Sequence, residues 1–124
     1  PAVGQGALGI EVTENNFRVQ EFVAALANPA STYATLGERA FLRYLEGGCQ
    51  VPIGTHGRIE QDKFILDALI GSLDGKRVVR GKIQGEPGQS ENLGEQLART
   101  LFQAGGKELL EGIKKLNRKL APVA

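Results

Sequence analysis

Cys49 is the only cysteine in the chain, and His56, seven residues on, is the only histidine. A thiol and an imidazole can form a nucleophile–base pair when their side chains reach hydrogen-bond distance. The intervening segment would have to fold back to bring them together, so the sequence favours a strand or surface position for His56. One cysteine and one histidine also fall short of the four ligands of a structural zinc site, and no metal centre is expected. Cys49 follows Gly47-Gly48 and precedes Pro52, a composition that ends a helix and begins a connection. Connections often carry chemistry. Free cysteine is nonetheless among the most buried residue types, and spacing alone leaves an inert packing thiol ahead of a reactive one. Arg39 and Arg43 stand four residues apart on the stretch leading to Cys49, with Glu38 and Glu46 beside them. The plainer reading is a solvated face of mixed charge. The alternative is a guanidinium face for carboxylates, which arginine grips through two parallel hydrogen bonds. Gly4-Gln5-Gly6-Ala7-Leu8-Gly9 fits the G-x-G-x-x-G pattern, but a dinucleotide loop must follow a strand and open a helix. Here no strand precedes the glycines and a strand is expected after them, so the run reads as a crossover where backbone passes close to another group.

Composition narrows the classes further. The chain has 124 residues, 41% hydrophobic and 23% charged, with 15 basic and 14 acidic side chains and a net charge of +1. That suits one core of an ordinary globular domain. The charge balance argues against nucleic-acid binding, which draws on a basic excess or stripe. No apolar run is long enough to span a membrane. A lone cysteine cannot form an internal disulfide, which is compatible with a reducing compartment.

The elements that must position these residues follow from hydrophobic period. Ala7–Val12 reads as a short strand. Thr13 and Asn15 offer cap oxygens for a helix running to about Asn28, with Val19, Phe22, Val23 and Leu26 at helical spacing. Pro29 interrupts. A second helix is expected from about Ser31 to Leu45, with Tyr33, Leu36, Ala40, Phe41, Tyr44 and Leu45 as its stripe. Past Cys49 the period falls to two. Strands are predicted over Thr55–Glu60, Lys63–Leu73 and Arg77–Gln84, joined by turns at Gln61-Asp62 and Asp74-Gly75. In the middle strand Phe64, Leu66, Ala68 and Ile70 share one face. A loop over Gly85–Ser90 leads to a helix over Asn92–Gln103, a break at Gly105-Gly106 and a final amphipathic helix over Lys107–Leu120. That last helix buries Leu109, Leu110, Ile113 and Leu116 and gathers Lys114, Lys115, Arg118 and Lys119 near its C-terminus, where positive charge suits the dipole. The fold class is therefore α+β: a three-stranded antiparallel sheet packed on helices, preceded by a strand–helix segment.

The run Glu38-Arg39-Ala40-Phe41-Leu42-Arg43-Tyr44-Leu45-Glu46-Gly47-Gly48-Cys49-Gln50-Val51-Pro52-Ile53-Gly54 closely resembles the cofactor-attachment segment of the porphobilinogen deaminases. The opening Pro1-Ala2-Val3-Gly4-Gln5-Gly6-Ala7-Leu8-Gly9-Ile10-Glu11 is similar to the family segment that crosses between its first two domains. Looser matches continue through Leu73-Asp74-Gly75 and Asn92-Leu93-Gly94. The resemblance implies an enzyme that condenses four porphobilinogen units, with loss of ammonia at each addition, into hydroxymethylbilane for tetrapyrrole biosynthesis. It implies a dipyrromethane cofactor held as a thioether to Cys49, and cleft-lining roles for Gln5 and Gly6. It also implies that residues 1–28 belong with upstream periplasmic-binding-protein-like domains and residues 29–124 form the C-terminal cofactor-attachment domain. The family's catalytic aspartate and most of its carboxylate-binding arginines match no residue here, so the chain alone is expected to be inactive. Thr13 departs from the arginine many members carry near this point. Glu38 and Arg39 match the motif. The implied setting is a small-molecule substrate, no nucleic acid or membrane partner, a monomeric full-length enzyme and a cytoplasmic location, or a plastid in a photosynthetic eukaryote. The apolar faces of the first 28 residues would be exposed or would pair with another copy. Two readings stand against this one: a cysteine-dependent hydrolase with His56 beside Cys49, and a small ligand-binding or interaction domain with a structural cysteine.

Overall fold

The computed structural model describes residues 2–45 and 52–120. Helix α1 spans Phe17–Ala24 and α2 spans Pro29–Tyr44. Strands β1 (Ile53–Glu60), β2 (Lys63–Gly71) and β3 (Val78–Gly85) follow, then a short 3-10 turn and helices α3 (Ser90–Leu101) and α4 (Lys107–Leu120). The strands form one antiparallel sheet in the order β1-β2-β3, an α+β arrangement as the sequence implies.

The alternation in β2 sets the two faces of the sheet. Phe64, Leu66, Ala68 and Ile70 are buried towards the helices, where they meet Phe41 and Leu45 of α2 and its cap, Leu97 and Leu101 of α3, and Leu109 and Leu110 of α4. Each leucine, isoleucine or phenylalanine side chain so removed from water contributes about 1.5–3 kcal/mol. The opposite face carries Ile65 between its cross-strand neighbours Arg58 and Gln84, and Asp67 between His56 and Lys82. Ile65 is buried as well, consistent with the long apolar stems of its neighbours lying over it. On that face Arg58 donates to Asp67 at 2.5 Å and to Glu60 at 2.8 Å.

Two glycines let α2 and α3 touch backbone to backbone. A Cβ on Gly94 would stand 2.2 Å from the Gly37 carbonyl oxygen, and one on Gly37 would stand 2.3 Å from the Phe64 ring. Glycine, a poor helix former, thus sits where the two helices cross over the core.

Local chemistry explains the element boundaries. Asn16 caps α1, its side chain accepting from the Val19 N–H at 3.2 Å, so the cap lies beyond the expected Thr13 and Asn15. Asn28 caps α2 by accepting from Ser31 N–H at 3.1 Å. Pro29, read from sequence as an interruption, is the first residue of α2, where its missing N–H costs nothing. The hairpin at Asp74-Gly75 is closed by the Asp74 carboxylate. It accepts from the Ser72 hydroxyl at 2.5 Å and the Lys76 N–H at 3.0 Å, and these two bonds hold its pKa below the ordinary aspartate value. Gly105, at φ 127°, kinks the chain between α3 and α4. The expectations for Leu116, Lys114, Lys115, Arg118 and Lys119 lie outside the described side chains.

One predicted element is not formed. Residues 7–12 have no regular secondary structure, so the strand expected at Ala7–Val12 is corrected to irregular chain. An apolar run becomes a strand only when a neighbour supplies the ladder, and β1, β2 and β3 pair only with one another among the described residues. The segment before α2 is thus coil and helix rather than strand and helix.

The β1–β2 turn offers a direct test of backbone strain. Gln61 and Asp62 both have positive φ, 49° and 63°, the geometry of a type I′ hairpin turn. A left-handed residue other than glycine, asparagine or aspartate carries a penalty of about 1 kcal/mol, which here falls on Gln61. Replacing the pair by Asn-Gly is expected to raise unfolding free energy by about 1 kcal/mol, read as a higher urea midpoint at unchanged slope. An unchanged midpoint would show that the turn carries no such strain.

Candidate functional site

The segment before α1 lies along α2 and encloses a groove of about 560 Å³. Gly6 and Leu8 line one side, while Ser31, Thr32, Thr35 and Arg39 of α2 line the other. Its α2 wall therefore carries the Ser31 and Thr35 hydroxyls, the apolar Leu36 and the exposed guanidinium of Arg39, the Thr32 hydroxyl being spent on the Asn28 carbonyl. Such a wall offers neutral donors and one cation, a set suited to carboxylate groups.

The opening segment is held at its base by Glu38. One carboxylate oxygen of Glu38 accepts from the Thr55 hydroxyl at 2.7 Å and from the Gly4 N–H at 3.2 Å. Thr55 is 1% exposed and Glu38 9%. Glu38 was grouped by sequence with the charged surface of α2. It is instead buried, on the same helical face as Phe41 and Leu45, while Arg39 and Arg43 remain exposed. Gly4 has φ 70°, and its carbonyl accepts from Ala7 N–H, so the Gly4–Ala7 stretch is a turn. Gln5 turns inward on that structure: its side-chain oxygen accepts from the Ala2 N–H at 2.9 Å.

The last turn of α2 is clamped to α3. Tyr44 packs edge-on to Phe102, with ring centroids 6.3 Å apart at 83°, and Arg99 stands 5.7 Å from the Tyr44 ring centroid. Leu45, the cap, is buried. A smaller groove of about 280 Å³ lies beside this clamp, between Arg43 of α2 and Glu91 and Glu95 of α3.

The structure thus brings together Gly6 and Arg39 across one groove and places Gln5 within its own turn. Cys49 lies outside the described residues, and so does the expected ordered loop around it. His56 is an exposed residue of β1, as the sequence suggested, with Asp67 opposite it committed to Arg58. Sequence reasoning missed the Glu38–Thr55 bond. Its signal was present: Glu38 falls three and seven residues before Phe41 and Leu45, on the buried side of the helix. Among the described residues there is no cluster of three or more potential metal ligands, and no helix is long and apolar enough to cross a membrane.

A three-stranded open-faced sheet backed by helices, with a groove against its first long helix, defines a small α+β domain. Residues 32–103 match the family model described as porphobilinogen deaminase, C-terminal domain. The porphobilinogen deaminase of Synechococcus sp. (strain CC9605) is 49% identical over 112 residues, covering 90% of this chain and 35% of that protein. Those of Moorella thermoacetica (strain ATCC 39073 / JCM 9320) and Pelotomaculum thermopropionicum (strain DSM 13744 / JCM 10971 / SI) are 43% and 40% identical, covering 92% and 96% of this chain and 36% and 38% of theirs. The chain belongs to the porphobilinogen deaminase family, matching its C-terminal part. It spans about a third of the length of these curated relatives.

Proposed function

We propose that the chain is the cofactor-bearing part of a transferase that joins four porphobilinogen units into hydroxymethylbilane, with Cys49 as the covalent anchor of a dipyrromethane primer. The observation that carries this reading is the family match over residues 32–103, which spans Cys49 and the whole of the Glu38–Gly54 motif. In sequence Cys49 falls between the clamped end of α2 and the start of β1. Both flanks are anchored in the core, through Leu45 on one side and Thr55 on the other.

The residues present fit a group bearing carboxylates. Arg39 and the hydroxyls of Ser31 and Thr35 supply donors along one groove wall, while the Thr32 hydroxyl donates to the Asn28 carbonyl at 3.0 Å, and Gly6 faces them without a side chain to intrude. The Cys49 sulfur is a soft nucleophile. As a thiolate it forms a C–S bond at the methylene carbon that porphobilinogen exposes when its amine leaves as ammonia. The dipyrromethane supplies, when bound, the fixed end to which successive units are joined. Cys49 keeps that end in place, so each addition is effectively intramolecular. Gln5 holds the crossover turn that presents Gly6.

In this reading residues 1–28 complete the upstream domains and residues 29–124 form the attachment domain. Support comes from the apolar side chains of the first part: Leu8 is 98% exposed, Phe17 71% and Leu26 71%, and α1 buries none of its residues. The full-length protein acts as a monomer in a reducing compartment, the cytoplasm, since the thiol must stay unpaired until loaded.

The test is intact mass of the full-length protein made in cells that synthesise porphobilinogen. Two linked pyrrole units should be present on the peptide containing Cys49. Protein of unmodified mass that nevertheless forms hydroxymethylbilane would remove Cys49 from the mechanism.

A further inference from the structure

We propose that Glu38 is a positioning residue: it registers the Gly4–Gly6 turn against the two elements that flank Cys49 in sequence. This rests on the reading of Cys49 as the cofactor anchor and deepens it. The geometry is a three-way junction on one oxygen. Glu38 sits on α2, Thr55 on β1, and Gly4 in the turn before α1, and the Glu38 carboxylate accepts from both of the others at 2.7 Å and 3.2 Å.

Each arm of the junction is fixed at its far end. Thr55 is fully buried on the inner face of β1, in register with Ala68 of β2. On α2, Gly37, next to Glu38, lies against both Phe64 and the backbone of α3, so the helix cannot slide there without displacing the core. Gly4 is held in the left-handed region at φ 70° and opens a turn closed by the Ala7 N–H. Of these three pieces the turn has the least packing: Gln5 through Ile10 are all exposed. Its distance from Arg39 across the groove is therefore set largely by the Gly4–Glu38 bond. A hydrogen bond to a buried carboxylate is among the stronger single contacts available for this purpose. Glu38 touches neither groove ligand nor anchor in this role. It acts by fixing where Gly6 stands relative to Arg39.

The experiment uses the full-length protein carrying this chain, with Glu38→Ala, Glu38→Asp and Glu38→Gln. Gln keeps one oxygen that can accept from both Thr55 and Gly4. Asp keeps the charge but withdraws the oxygen by one methylene, and it guards against an Ala variant that fails to fold. Hydrogen exchange is followed at Gly4–Ala7 and, as an internal reference, at β2. Glu38→Ala and Glu38→Asp are expected to speed exchange at Gly4 at least tenfold while β2 exchange stays unchanged. In the same variants kcat/KM should fall at least tenfold through KM, with pyrrole mass still present. Glu38→Gln should restore both readouts to within about threefold of the parent. Unchanged Gly4 exchange in Ala and Asp, loss of β2 protection in parallel, or failure of Gln to rescue would each overturn the proposal. The anchor reading fails separately, through unmodified mass in the parent, and leaves the exchange result interpretable.

Discussion

Replacing Cys49 by serine in the full-length protein is expected to abolish the attached pyrroles and lower turnover by at least a thousandfold. Serine is close in size to cysteine, so packing is little disturbed. Its hydroxyl is a far weaker nucleophile at neutral pH than a thiolate, so the C–S bond has no effective substitute. Without a fixed end, each addition becomes an encounter between free species and loses the advantage of a held reactant, which can reach many orders of magnitude. A cysteine that only packs predicts the reverse pattern: a loss of about 1 kcal/mol in stability with activity kept. Intact mass, a melting curve and a turnover assay separate the two. A folded, active serine variant without attached pyrroles would defeat the anchor assignment and leave the structural-cysteine reading in its place.

The largest effect on the fold is expected from Gly94→Ala. Its Cβ would stand 2.2 Å from the Gly37 carbonyl oxygen and 3.0 Å from the carbonyl carbon. Both atoms are backbone, so no rotamer change relieves the contact, and α2 and α3 must part over Phe41, Phe64 and Leu97. We expect a loss of about 3 kcal/mol, the upper end of what overpacking costs, and a sizeable share of a small domain's total stability of about 5–15 kcal/mol. Gly112→Ala is the control. No atom lies within 4 Å of a Cβ there, and alanine is the better helix former, so stability should hold or rise by up to about 1 kcal/mol. Urea unfolding of the two variants side by side reads the difference. Equal midpoints would mean that the helices are not in backbone contact.

Much of the fold was legible because period-two and period-3.6 patterns are written in side chains. Phe64, Leu66, Ala68 and Ile70 name the inner face of β2 without help, and Asp74-Gly75 names its turn. The strand expected at Ala7–Val12 failed for a physical reason: a short apolar run states a preference, while a ladder needs a partner. Gly37 and Gly94 look like weak points in a helix when read singly, and only their mutual contact explains them. Of the groove residues, Arg39 drew notice by its charge and Gly6 through the family resemblance, while Cys49, singled out by type, lies outside the described residues. The charge of Glu38 suggests a surface position, whereas its helical phase with Phe41 and Leu45 puts it inside. Its partners Thr55 and Gly4 are 17 and 34 residues away, and no local pattern reaches that far.

The crossing of α2 and α3 also fixes an order in time. The ribosome makes α2 before the sheet and α3 after it, so the Gly37–Gly94 contact cannot form until the chain has been made past residue 94. The core facing β2 is likewise open until Leu97 and Leu101 arrive. The helix that leads to Cys49 is therefore made before every element it packs on, and its backbone seam with α3 is closed only after its contacts with the sheet become possible.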